Sequence, residues 1–168
     1  MFAIGLLAAC DTNTDTMSST GPAYVPIYMS AAAMDDIGLK DSRPTKKAGK
    51  IYALGNFLFQ NELNEGIHII DVSNAAAPKK VGFLKVPLCT EMAIKNGFLY
   101  TNNFSDLLVF NLTAPAGPQL IKRIPKVFPP VNQEYPPLFN VSFECADKSK
   151  GVVVGWELKN VTNAKCRR

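Results

Sequence analysis

Histidine is nearly absent from this chain: His68 stands alone among 168 residues. A Ser-His-Asp triad or a zinc site needs partners at set spacings. No such pattern surrounds His68, which lies between Ile67 and Ile69 and reads as a strand residue on one sheet face. The four cysteines form no Cys-x-x-Cys pair, which excludes the usual redox and zinc-finger signatures. No stretch matches a calcium loop or a phosphate-cradling glycine loop, so no metal and no cofactor is expected. Charge is sparse at 19%, with a net value of +4. Lys46-Lys47, Lys79-Lys80 and Arg167-Arg168 are scattered pairs. Phosphate tracking needs clustered Lys and Arg, so nucleic acid is not an expected partner. The apolar run at residues 2–9 is far short of the ~20 residues that span a bilayer.

What is present favours strands. Hydrophobic residues make up 47%, enough for one domain with a real core. Ten Phe and five Tyr with abundant Val and Ile favour sheets. Twelve Pro and 11 Gly supply turns and oppose long helices.

The N-terminus reads as an address. Phe2 to Ala9 has the character of a signal-peptide core, and Leu7-Ala8-Ala9-Cys10 resembles the lipobox of bacterial lipoproteins. The resemblance implies cleavage before Cys10 and a diacylglyceryl group on its sulfur. Two acyl chains on one residue anchor a protein stably, whereas one is marginal. No Lys or Arg precedes the apolar run, so the expected start lies upstream or the sequence is clipped. Asp11 to Gly21 has only Met17 as an apolar residue and is expected to be a flexible tether. Asp11 and Asp15 resemble the acidic export signal of Bacteroidetes surface lipoproteins. Asp15-Thr16-Met17 resembles that phylum's O-glycosylation site.

A repeat of about forty residues follows. Asn56–Asn61 resembles Asn96–Asn102, Gly66–Val72 resembles Asp106–Leu112, and Pro78–Gly82 resembles Pro118–Lys122. The first unit offers strands at Ile51–Leu54, Phe57–Asn61, Gly66–Val72 and Lys79–Lys85. The second offers Glu91–Lys95, Phe98–Asn102, Leu107–Leu112 and Gln119–Ile124. Asn96-Gly97 between two apolar runs predicts a tight hairpin. Ile67–Val72 is apolar on both faces, which predicts cover from both sides by stacked sheets. Four short antiparallel strands per unit match a propeller blade. Glu65-Gly66-Ile67-His68-Ile69-Ile70-Asp71-Val72-Ser73-Asn74 with Pro78-Lys79-Lys80-Val81-Gly82 is similar to the LVIVD repeat of bacterial β-propeller lipoproteins common in Bacteroidetes. The second unit departs from it, with Asn111 in place of Asp and Ala114–Gly117 before Pro118. Family members are usually longer, and the resemblance carries no active site.

After Pro125 the pattern breaks. Residues 127–138 hold Pro129, Pro130, Pro136 and Pro137, so an extended loop is expected. Strand runs at Phe139–Ala146 and Gly151–Leu158, joined by Asp147–Lys150 as in a hairpin, look like a third unit that stops short. The chain then ends in the polar stretch Lys159–Arg168. The expected architecture is therefore all-β, with tandem four-stranded meanders forming about two and a half blades of an incomplete propeller. Three outcomes would resolve the open ring: truncation, pairing with another copy or a partner, or capping by Tyr24–Met34 and the Pro-rich loop. The sequence favours truncation or a short variant.

Among the remaining cysteines, Cys145–Cys166 is the favoured disulfide for an exported chain, with Cys89, Cys145 and Cys166 all free as the alternative. Glu62, Glu65 and Asp71 lie close in sequence. A paired-carboxylate site would need a second acid brought in by folding, and Asp71 is expected to bond turn amides. Trp156, Tyr135, Phe139 and Phe128 surround the Pro-rich loop, and Tyr135 and Trp156 are the candidate ligand-facing rings.

The expected organisation is a signal peptide at 1–9, a tether at 10–22, an extension at 23–49 and repeats at 50–168. Within the last, units fall at 50–86, 91–126 and, partly, 139–158. The expected function is non-enzymatic binding or scaffolding at the cell envelope. Its partners would be the membrane through Cys10, envelope proteins or glycans, and other copies through open blade edges. The expected location is the outer membrane, on its periplasmic or surface face. An accessory glycan-binding lipoprotein and a hydrolase with an unrecognised site are the alternatives.

Overall fold

The computed structural model describes residues 20–129 and 134–168. The described residues form three sheets, none of them closed, as an all-β, propeller-like arrangement. In the first sheet, Ala48–Leu54 (β3), Phe57–Glu62 (β4), Gly66–Asp71 (β5) and Lys79–Lys85 (β6) run as an antiparallel meander. Gly38–Lys40 (β2) adds a fifth strand beyond β6. Met92–Lys95 (β7), Phe98–Asn103 (β8), Asp106–Asn111 (β9) and Gln119–Ile124 (β10) form the second meander. The third sheet joins the first described strand to the last three. It orders Val152–Thr162 (β12), Thr20–Met29 (β1), Ser142–Phe143 (β11) and Cys166–Arg167 (β13).

Local chemistry explains the meanders. Lys95 pairs with Phe98 across a two-residue turn, with φ of 51° at Asn96 and 78° at Gly97. Two left-handed centres give a turn whose twist matches the flanking strands. The two units also share their third turn. Asp71 Oδ1 accepts the Ser73 amide at 2.8 Å, and Asn111 Oδ1 accepts the Thr113 amide at 2.9 Å. Asn111 therefore performs the same turn bond as Asp71, despite lacking the charge.

The pleat divides each sheet into two faces. On the first sheet, Phe59 opposes Ile69, and Ile67 opposes Leu84. On the second, Leu99 opposes both Phe110 and Ile94. These two faces meet and form one buried cluster with Val86, Met92 and Leu108. The other face of β5 carries His68, which opposes Phe83. It is covered by the connection between β2 and β3, residues 41–47. Arg43 lies 4.1 Å over the Phe83 ring, and Lys80 donates to Thr45 Oγ1 at 2.6 Å. Cover from both sides was expected of β5, but one side is this strap and not a second sheet.

Four expectations need correction. Thr20, Gly21 and Pro22, assigned to the tether, belong to β1, which Tyr24, Val25, Ile27 and Tyr28 favour as strand formers. The rest of the tether, Cys10 and the lipobox lie outside the described residues. The strand expected over Phe139–Ala146 is only Ser142–Phe143, because Pro136-Pro137 precede it and Asn140 takes φ of 58°. No hairpin joins this strand to β12, because β1 lies between them. β1 offers β12 ten paired positions, against the short β11. The tail also departs from a polar end. β12 runs on to Thr162 and β13 follows.

Pro26 stands inside β1 without disruption. β11 pairs with β1 only at Tyr24, so the missing N–H costs no ladder bond on that side. Among the described residues, no helix is long and apolar enough to cross a membrane. The helix Ala31–Met34 (α1) is a single turn capped by Ser30.

Gly66 shows how tightly β5 and β6 approach. Its φ is 148°, and an added Cβ would meet the Leu84 carbonyl oxygen at 2.2 Å. Gly66→Ala is predicted to destabilise the fold by about 3 kcal/mol or more. Urea unfolding followed by tryptophan fluorescence checks this, with Gly21→Ala, where nothing lies within 4 Å, as the neutral control.

Candidate functional site

The candidate side chains form a buried group beneath the strap and a surface group of aromatic rings on the third sheet. In the first, β4 and β5 are joined by a tight turn that pairs Glu62 with Gly66 and Gln60 with His68. This register puts Glu62 and His68 diagonally on the same face. His68 Nε2 lies 2.7 Å from Glu62 Oε2, and the two residues are 0% and 1% exposed. Glu62 also accepts the Lys46 amide at 2.9 Å and the Lys47 amide. Burial pushes its carboxyl pKa upward. The His68 hydrogen bond and the amides of Lys47 and Lys46 outweigh burial and hold it down at about 2. Glu62 is thus a carboxylate that accepts the His68 Nε2–H. Nδ1 finds no hydrogen-bond partner among the described residues.

The other two carboxylates have separate partners. Glu65 accepts from Arg43 Nη2 at 2.9 Å, and Asp71 binds the Ser73 amide. Each of these three acids thus holds a different partner among the described residues. Across the sheet interface, Thr101 Oγ1 donates to the Glu91 carbonyl at 2.6 Å, so the Cys89 thiol donates to Thr101 Oγ1 at 2.9 Å. Asn61 Nδ2 donates to Cys89 Sγ at 3.0 Å. Burial raises the Cys89 thiol to about 11, against the lowering effect of these bonds. A protonated, buried thiol is a poor nucleophile.

The surface group lies on the third sheet. Phe143 is buried, with Tyr135 edge-on at 6.1 Å and Trp156 edge-on at 5.5 Å. Arg168 lies 4.2 Å over the Phe139 ring and 5.8 Å from that of Tyr135, and donates to the Pro136 carbonyl. Tyr135 is 45% exposed and Phe139 71%. Phe128 does not join them through the bond that holds it, because its amide donates to the Ser105 carbonyl at the β8–β9 turn. Cys145 and Cys166 form a disulfide with a Cα–Cα distance of 5.3 Å, tying β13 to the segment after β11. Cys10 lies outside the described residues.

Two features escaped sequence reading. Glu62 and His68 meet only because the β4–β5 hairpin closes in that register. The signal was the apolar alternation that fixes Phe59 against Ile69. Arg168 meets the aromatic rings because β13 pairs with β11, which no local pattern announced. No protein-family model, no curated protein and no solved structure matches the chain.

Glu62→Ala would leave His68 and the Lys46 and Lys47 amides unpaired under the strap. It is predicted to cost about 3–5 kcal/mol in urea unfolding. The pH dependence has a definite sign. The Glu62 carboxyl lies below its ordinary 4.5, so its stabilisation is present above about 4.5 and fades as pH falls toward about 2. Unfolding midpoints measured between those values should fall in the parent chain and change less in Glu62→Gln.

Proposed function

We propose that this chain is a non-enzymatic binding or scaffolding lipoprotein of the bacterial cell envelope, of the LVIVD-repeat kind, held at the outer membrane through Cys10. One contrast carries the reading. The acid–base pair Glu62–His68 is sealed from solvent, while the rings of Tyr135 and Phe139 stand at the surface. Sealed groups do not reach a substrate, and exposed rings can stack on a ligand. The lipobox Leu7-Ala8-Ala9-Cys10 supports the anchor. Nine residues, 11–19, separate Cys10 from the start of β1 at Thr20. Such a segment can reach at most ~33 Å, which keeps the sheets close to the lipid surface.

A glycan-binding form of this reading is favoured by Arg168. It places guanidinium donors beside the exposed rings of Phe139 and Tyr135, the mixture of apolar face and polar donor that sugars use.

The intact mass of native protein extracted from the envelope with detergent tests the anchor. The expected species begins at Cys10 and carries a diacylglyceryl adduct. An unmodified chain retaining residues 1–9 contradicts the anchor. A glycan-binding screen tests the surface. Tyr135→Ala and Phe139→Ala are expected to weaken binding by roughly tenfold, with Asp71→Asn unchanged. Turnover of a glycan, abolished by changes at Asp71 or Glu65, would contradict the non-enzymatic reading.

A further inference from the structure

Strand β12 is an edge. β1 pairs along one side, and among the described residues no strand pairs along the other. At 11 residues it is the longest strand in the described structure. Its register with β1 slips between Ile27 and Tyr28, where Val154 is passed over, and is unbroken from Gly155 to Thr162. Within that regular stretch Leu158 is 61% exposed. Glu157 and Lys159, in contact with each other, flank it on the opposite face.

An unpaired strand edge is a template for another strand. The occupant can be argued from the residues themselves. Laid antiparallel against its own copy and centred on Leu158, β12 sets Leu158 against Leu158. Glu157 then faces Lys159 of the other copy, Lys159 faces Glu157, and Gly155 faces Val161. Two opposite-charge pairs form by symmetry on one face, an apolar pair forms on the other, and no like charges are opposed. The paired stretch ends where the bulge at Val154 begins. We propose that two copies of this chain join β12 edge to edge about a two-fold axis at Leu158, extending the third sheet from four strands to eight. An isologous contact of this kind closes on itself and does not propagate into fibres.

The other edges are less suited. β10 is broken by a register shift between Leu120 and Lys122, and it carries Lys122 and Arg123 without an acid. β3 is broken by a register shift between Ala48 and Ile51 and carries Lys50 as its one charge, β7 has four residues, β2 three and β13 two. The pairing does not depend on the lipid anchor. A monomer would leave the envelope proposal standing, and an unlipidated mass would leave the pairing standing.

Cross-linking in the full chain carrying Cys10→Ser, which leaves no thiol at that position to oxidise or lipidate, tests it. Leu158→Cys is expected to yield, under mild oxidation, a covalent dimer of twice 18.3 kDa. The parent chain and Leu120→Cys, on the β10 edge, are expected to give none. Adding Lys159→Glu to Leu158→Cys puts Glu opposite Glu and should cut the yield roughly tenfold. Adding Glu157→Lys as well restores opposite charges and should restore the yield. Circular dichroism confirms that each variant is folded, as expected for exposed positions. No dimer from Leu158→Cys, equal dimer from Leu120→Cys, or failure of the double charge swap to restore it would each overturn the proposal.

Discussion

The structure depends on covering β5 from both sides. Its alternating residues cannot all face one core, because successive side chains point to opposite faces of a sheet. Ile67 and Ile69 bury against the second sheet. His68, between them, turns the other way and must find both apolar cover and a hydrogen-bond partner. A buried polar group without one costs a large part of a domain's net stability. Phe83 and the strap supply the cover, and Glu62 supplies the partner. The strap is held in return, because Glu62 accepts the amides of Lys46 and Lys47. One carboxylate thus joins two strands to the segment that covers them.

The second unit solves the same problem without charge. Leu108 occupies the place of His68, and Asn103 that of Glu62. Leu108 is fully buried against the first sheet, and Asn103 Nδ2 donates to the Pro87 carbonyl at 2.7 Å. Two units with one strand plan therefore differ where their neighbours differ. This face of the second unit meets the first sheet, and the same face of the first unit meets the strap. The connection ahead of the strap ties both together. Asp36 pairs with Lys40 and Lys85 of the first sheet, Asp35 pairs with Arg123 of the second, and Asn103 donates to the Met34 carbonyl.

Local signals made the two meanders legible. Asn96-Gly97 specified its turn through two left-handed residues, and the apolar runs at Phe57, Gly66, Phe98 and Leu107 fall within strands. The role of Asp71 was also readable, since a short acid after a strand has few other partners than the next turn's amides. The third sheet was not legible as built. Thr20 and Thr162, 142 residues apart, hydrogen-bond across β1 and β12, and nothing local in either segment names the other. The Asp147–Lys150 link favoured a hairpin by proximity, but β1 offered a longer partner. The site was legible only in parts. Tyr135 and Trp156 both contact one ring, Phe143, yet Arg168 and the Glu62–His68 pair needed register and tertiary contact to be seen.

If β5 and its two covers hold the fold together, its backbone should be the last to open. Native-state hydrogen exchange measures this directly. The account predicts that the amides of Ile67, His68 and Ile69 exchange only through global unfolding, more slowly than those of β1 and β12, and that Glu62→Ala accelerates them together with the Lys47 amide. Exchange at β5 as fast as along the exposed strand β10, or slowest protection in the third sheet, would contradict it.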